Sequence, residues 1–245
     1  MPFLNSFSRQ NKTHVIEFYS YSDEYSREQI THEVISGANA GSILSAIYGQ
    51  NIRFVYAPDN EKYQLVLKEA ETRGYKQTII NLYEPNQLHH LLSRIKPGDS
   101  ILINGQGDID KELIAGRDAE ELTDILLDEF RLKDIQLNNL DIDSCLMGRV
   151  ESYRNVLKSL LKNFQTITTY TELCSVSSGG DQLFRMWIKK KSEGYSFYKE
   201  DEINGGEIRI TEYTDFYRAL LKESWKPNPN NSDEIDISDC MNLSW

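Results

Sequence analysis

The sequence predicts an α/β fold of three layers: a central, mainly parallel sheet, helices on both faces, and a β-hairpin near the C-terminal end. Three observations carry that expectation. From residue 51 to 170 strand-like and helix-like segments alternate in the order β-α-β-α-β-loop-α-β-α-β. Such alternation makes successive strands parallel, because each crossover returns the chain to the same end of the sheet. Two apolar runs end in small-residue loops, Gly105-Gln106-Gly107 and Ser144-Cys145-Leu146-Met147-Gly148. After residue 175 the pattern changes to β-type segments separated by polar, Gly-containing stretches.

In chain order, residues 14–21 carry Val15, Phe18 and Tyr19 and predict a strand. Residues 26–50 place Ile30, Val34, Ile35, Ile43, Leu44 and Ile47 at helical spacing. Gly37 and Gly41 interrupt that pattern, so two short helices are expected. Residues 51–57 predict a strand closed by Pro58, and residues 61–73 a helix with Gly74 at its C-cap. Residues 77–83 predict a strand. Pro85 starts a helix expected to run to Ile95, since proline is tolerated in a first turn. Residues 100–104 form a short apolar strand ending at Gly105, followed by a polar loop to Gly116. Asp118 caps a helix through about Leu132, with Leu122, Ile125, Leu126 and Phe130 on its apolar face. Residues 139–143 predict a strand, 150–162 a helix and 164–169 a strand. Residues 183–189 and 207–210 predict the hairpin strands, with residues 195–206 as the loop between them, and residues 214–223 a last helix.

The chain has 245 residues, with 27 Lys plus Arg and 38 Asp plus Glu, a net charge of −11. Residues 1–225 read as one domain with its core at 50–190, and residues 226–245 as a polar, acidic tail. That length can bury a core without disulfide staples. The negative balance argues against a nucleic-acid binder, which needs a basic face. The three cysteines, Cys145, Cys174 and Cys240, fit neither a disulfide framework nor a zinc site. The four histidines form no HExxH pattern, and the acidic pairs fit helix N-termini and solvated surface better than a metal site. The N-terminal run has no Sec-type apolar core and no window reaches a membrane span, so a bacterial cytoplasmic location is expected.

In doubly wound sheets the ligand site lies at the carboxyl ends of the strands. Cys145 follows a buried-type strand into a small-residue loop at that edge. A thiol so placed can attack a carbonyl while backbone N–H groups of the same loop stabilise the oxyanion. The other reading of Cys145 is a buried structural cysteine.

The stretch around Ile101–Ile103, Gly105-Gln106-Gly107, Ile114-Ala115-Gly116, Glu120-Glu121-Leu122, Leu140 to Asp143 and Cys145 resembles a caspase-like (clan CD) cysteine peptidase. The similarity spans about residues 50–190 and points to the autoprocessing protease domains of clostridial and MARTX toxins. Asp143-Ser144-Cys145-Leu146-Met147-Gly148 also resembles the clostripain-type nucleophile motif. The resemblance implies Cys145 as nucleophile, with Gly105, Gly107 and Ser144 around the substrate groove and oxyanion site. It puts the family's general-base histidine on Gln106, or in the clostripain register on Asn104. Neither amide can accept a proton at neutral pH. Without a base, an ordinary thiol with a pKa near about 8.5 is only a few per cent thiolate at pH 7. Gln106 is therefore a degenerate position or a replacement of a native histidine.

Two functions follow: a pseudopeptidase that binds a peptide or protein partner, or an active peptidase with a non-standard base. His14 and His32 are the candidates for such a base. The resemblance further implies inositol hexakisphosphate at a basic surface beside a hairpin. Lys189-Lys190-Lys191 with Arg185 stands at the corresponding place, and Arg53 and Arg209 could join it. The competing reading of that run is a lysine-guarded strand edge, and otherwise no cofactor is expected. The acidic tail is compatible with export of a bacterial effector into a host cell.

Overall fold

The computed structural model describes residues 11–21 and 27–170, and the strand backbones at 173–179, 182–191, 194–204 and 207–212. In chain order the elements are β1 (Thr13–Phe18), α1 (Arg27–Ile47), β2 (Ile52–Tyr56), α2 (Asn60–Thr72), β3 (Thr78–Asn81), α3 (His89–Leu92), β4 (Ser100–Gly105), β5 (Gly107–Asp108), β6 (Leu113–Ile114), α4 (Ala119–Asp124), β7 (Leu137–Asp143), α5 (Glu151–Leu160) and β8 (Phe164–Thr169). Then follow β9 (Leu173–Gly179), β10 (Gln182–Lys191), β11 (Gly194–Asn204) and β12 (Glu207–Glu212).

The main sheet has six strands, all parallel, in the order β3-β2-β1-β4-β7-β8. Counted along the chain this is the doubly wound order 3-2-1-4-5-6, with the reversal between β1 and β4. Its register aligns Ile80, Phe54, Ile16, Ile103 and Ile142 in one row across five strands. That row belongs to the large core, where Leu88 and Leu91 of the α3 segment, Leu122 of α4, and Tyr153 and Leu157 of α5 cover it. On the opposite face Val15, Ala40, Leu44 and Leu102 form one cluster, and Tyr19, Val34, Val55, Ala57 and Val66 another. Helices α1 and α2 cover that second face. Strands buried on both faces need near-continuous apolar runs, which is why the sheet was legible.

Several elements differ from expectation. Residues 27–47 form one helix, not two. Both glycines inside it are points of close approach. A Cβ on Gly41 would lie 1.9 Å from Glu17 Cδ, and one on Gly37 2.8 Å from Tyr19 Cε1. They let α1 press onto the polar side chains of β1. The helix expected from Pro85 to Ile95 shrinks to His89–Leu92, flanked by turns. Its amides at Gln87, His90, Leu91 and Arg94 bond three residues back, the tighter 3₁₀ pattern that does not propagate. Asp118 caps α4 by accepting from the Glu121 amide at 2.8 Å. The helix then widens into a π-type turn at Ile125–Glu129, short of Leu132. The stretch 195–206, expected as a loop, is mostly strand β11. The C-terminal part is a four-stranded antiparallel sheet, β12-β11-β10-β9, rather than a two-stranded hairpin. The expected helix at 214–223 and the tail at 226–245 lie outside the described residues.

Candidate functional site

The carboxyl ends of β1, β4 and β7 meet at the reversal point of the sheet. Strand β7 ends at Asp143, and the chain turns through Ser144, Cys145 and Leu146 into a 3₁₀ turn, Met147–Arg149, and then α5. Leu146 takes a left-handed conformation with φ of 63°. A branched side chain there costs on the order of 1–3 kcal/mol, so the surrounding contacts enforce the turn. Ser144 N donates to Ile142 O at 3.0 Å, Arg149 N to Leu146 O at 2.8 Å, and Gly148 N to Tyr170 O at 2.7 Å. The result holds a reduced, half-buried Cys145 thiol above the sheet edge.

The loop after β4 packs directly on this turn. A Cβ on Gly107 would lie 2.6 Å from Cys145 O and 2.8 Å from Ser144 Oγ, so only glycine fits. Gln106 is exposed, and its carbonyl accepts from Ala115 N at 2.7 Å, tying the small β5–β6 ribbon under the loop. Ser144 is buried and its Oγ has no hydrogen-bond partner. The fold thus brings together Gly107, Ser144 and Cys145, with Gln106 on the contacting loop and Gly105 closing β4. The Ser144 amide, expected at the oxyanion site, is already spent on Ile142 O.

His14 lies near the start of β1, at the opposite end of the sheet, with Nε2 2.9 Å from Asp99 Oδ2. A carboxylate only accepts, so that nitrogen carries the proton. The His89 and His90 rings lie 3.9 Å apart, tilted by 37°, and His89 Nδ1 is 2.7 Å from Asn86 O. The His32 side chain and Cys240 lie outside the described residues, and Cys174 sits in β9.

Arg117 escaped the sequence reading and occupies the reversal point itself. It is fully buried, and its Nη1 donates to Tyr19 O at 3.0 Å and to Ala115 O. The rings of Tyr21, Tyr56 and Phe18 lie 4.9, 5.0 and 5.6 Å from its guanidinium carbon. Its Nε and Nη2 make no hydrogen bond. The rings replace water around this cation by their quadrupoles. Nothing in the motif around Gly116 announces that role, because the rings come from β1, the segment just after it, and β2. Burial pushes the Tyr56 hydroxyl up, and its bond to Glu129 Oε2 at 2.8 Å adds to the shift. Burial likewise raises Tyr153, whose hydroxyl donates to Arg117 O and Asp118 O, both at 3.3 Å.

The basic run has only its backbone described: Lys189, Lys190 and Lys191 pair with Ser196, Tyr195 and Gly194 beside the β10–β11 turn, with Arg185 earlier in β10. Arg53 cannot join it, because it is fully buried on Glu17. Among the described residues no group of three or more His, Cys, Asp or Glu could hold a metal, and no helix is long and apolar enough to cross a membrane. No family model, curated protein or solved structure matches the chain.

Proposed function

We propose that the chain is a caspase-like cysteine-peptidase homologue whose Cys145 site binds a peptide or protein partner without hydrolysing it. The observation that carries this reading is the contact of the Gly105-Gln106-Gly107 loop with the Ser144-Cys145 turn. The thiol keeps a nucleophile's position, while the neighbouring loop offers an amide where a base would stand. The similarity to toxin autoproteases and the acidic tail at 226–245 support an effector or toxin-like setting in a bacterium. On the same similarity, Lys189, Lys190, Lys191 and Arg185 are the residues that would hold inositol hexakisphosphate.

The strained turn at Leu146 favours a second reading, an active peptidase that cleaves itself or another chain through Cys145 and a non-standard base. An electrophilic peptide probe separates the two. Native chain and Gln106→His are labelled at Cys145 across pH 6–9, with Cys145→Ala as the blank. The pseudopeptidase reading expects labelling of Gln106→His at pH 7 at least tenfold faster than native. Equal labelling of both sinks it, and rapid labelling of the native chain at pH 7 supports the second reading.

A further inference from the structure

A cavity of about 530 Å³ opens at the amino-terminal end of the main sheet, away from Cys145. Its wall includes Lys12 and His14 of β1 and its approach, Tyr48 after α1, Ile52 and Phe54 of β2, and Arg94 after α3. Pairing of β1 with β4 creates it, since Thr13 aligns with Ser100 and Ser100 N donates to Lys12 O at 2.8 Å. Lys12 and Arg94, 82 residues apart in the chain (94 − 12), come to one wall this way.

The charge on that wall has one sign. Lys12 and Arg94 are both exposed, and among the described residues neither forms an ion pair with a carboxylate. Among the described residues no Asp or Glu lines the cavity, in a chain whose net charge is −11. The Asp99 carboxylate is fully buried and taken up by His14 Nε2 and by the amides of Lys12 and Lys96 at 3.0 and 3.1 Å. The rest of the wall is mixed: Asn11, Thr13, Gln50 and Asn51 are polar, and Ile47, Tyr48 and Ile52 are apolar. A concave site that joins an apolar patch to polar groups and two cations can hold a small polar molecule. An arginine fork and a lysine suit a phosphate in particular, because the fork bonds two oxygens and the ammonium adds a point charge.

We propose that this cavity binds an organic phosphate, its phosphate between Lys12 and Arg94 and its ester body against Tyr48 and Ile52. Two cations match a mono- or diester charge and fall short of a hexakisphosphate. The site is independent of Cys145, so its failure leaves the peptidase-homologue reading untouched.

Adenosine monophosphate is the probe, titrated into the full chain by calorimetry at about 0.15 M salt, with methyl NMR of Ile47 and Ile52 as a local readout. Saturable binding with shifts at both methyl groups is expected. Inorganic phosphate and adenosine, each holding half of the recognised chemistry, should bind at least about tenfold more weakly. Arg94→Ala and Lys12→Ala should each lose about tenfold, and Arg94→Lys should fall between native and Arg94→Ala because it keeps charge without the fork. All three substitutions are at exposed positions, and unchanged melting temperatures verify that each variant folds. Absence of saturable binding up to 5 mM nucleotide overturns the proposal. So does affinity unchanged in both alanine variants, or phosphate alone binding as tightly as the nucleotide.

Discussion

Glu17 and Arg53 face each other beneath α1 through two bonds, Nε to Oε1 at 2.8 Å and Nη2 to Oε2 at 2.6 Å, with Tyr19 Oη donating to Oε2 at 3.0 Å. Burial alone would lower the Arg53 pKa, but the adjoining carboxylate overrides it and holds the guanidinium raised. Removing one member of such a pair strands a buried charge, at a cost of about 3–5 kcal/mol. Arg53→Met should therefore lose that much stability in urea unfolding, while Glu17→Met with Arg53→Met should recover most of it. A double variant no more stable than the single one would show that the pair is worth more than well-packed apolar substitutes. At this scale legibility was uneven. Cys145 could be read because a thiol directly after a β run in a small-residue loop is a local pattern. Arg53 was misread as a surface cation, and Arg117 was not read at all. A strand residue's burial depends on what lies across the sheet, which no local window contains.

Helix α1 shows how one element is decided by another. In an isolated helix Gly41→Ala would gain about 1 kcal/mol. Here the new Cβ would overlap the Glu17 carboxyl, with 1.9 Å to Cδ and 2.2 Å to Oε1. Gly41→Ala should instead destabilise by about 3 kcal/mol or more, since the carboxylate can retreat only by leaving Arg53. Gly37→Ala meets the Tyr19 ring at 2.8 Å and should cost less, because a ring can tilt. Thermal melts that rank Gly41→Ala below Gly37→Ala below native would bear this out, whereas a stabilised Gly41→Ala would refute it. The glycines that suggested a helix break are thus the residues that let a single helix dock. The α3 segment erred in the other direction. Pro85 suited the first turn of a helix, yet the turn bonds after Asn81 left only four residues of α form.

For the molecule as a whole, three buried tyrosines set an alkaline limit. Tyr19, Tyr56 and Tyr153 are each at most 3 % exposed, and burial raises all three hydroxyls. Below about pH 10 both folded and unfolded chains keep these protons, and the stability is fully present. Above it the unfolded chain releases them while the folded chain does not, so stability falls as pH rises toward the raised values. Each tyrosine contributes a slope of about 1.4 kcal/mol per pH unit, about 4 kcal/mol for the three together. Denaturant titrations at pH 9 to 12 should show this fall, with Tyr153→Phe reducing the slope by about a third. A flat profile to pH 12 would contradict it.

By itself the sequence determined the α/β class, the strands of the parallel sheet to within a few residues at each end, and the small-residue turn that carries Cys145. These rest on apolar runs, caps and turn residues, which act over a few positions of chain. Tertiary structure alone decided that α1 is continuous, that Arg53 is buried and that Arg117 fills the reversal point. It also joined Lys12 to Arg94 around one cavity. Each of those depends on a partner dozens of residues away, brought near by parallel pairing in the order 3-2-1-4-5-6. Whether a charge ends in water, on a carboxylate or among rings is settled by that pairing, because desolvation is a property of the packed site and not of the residue.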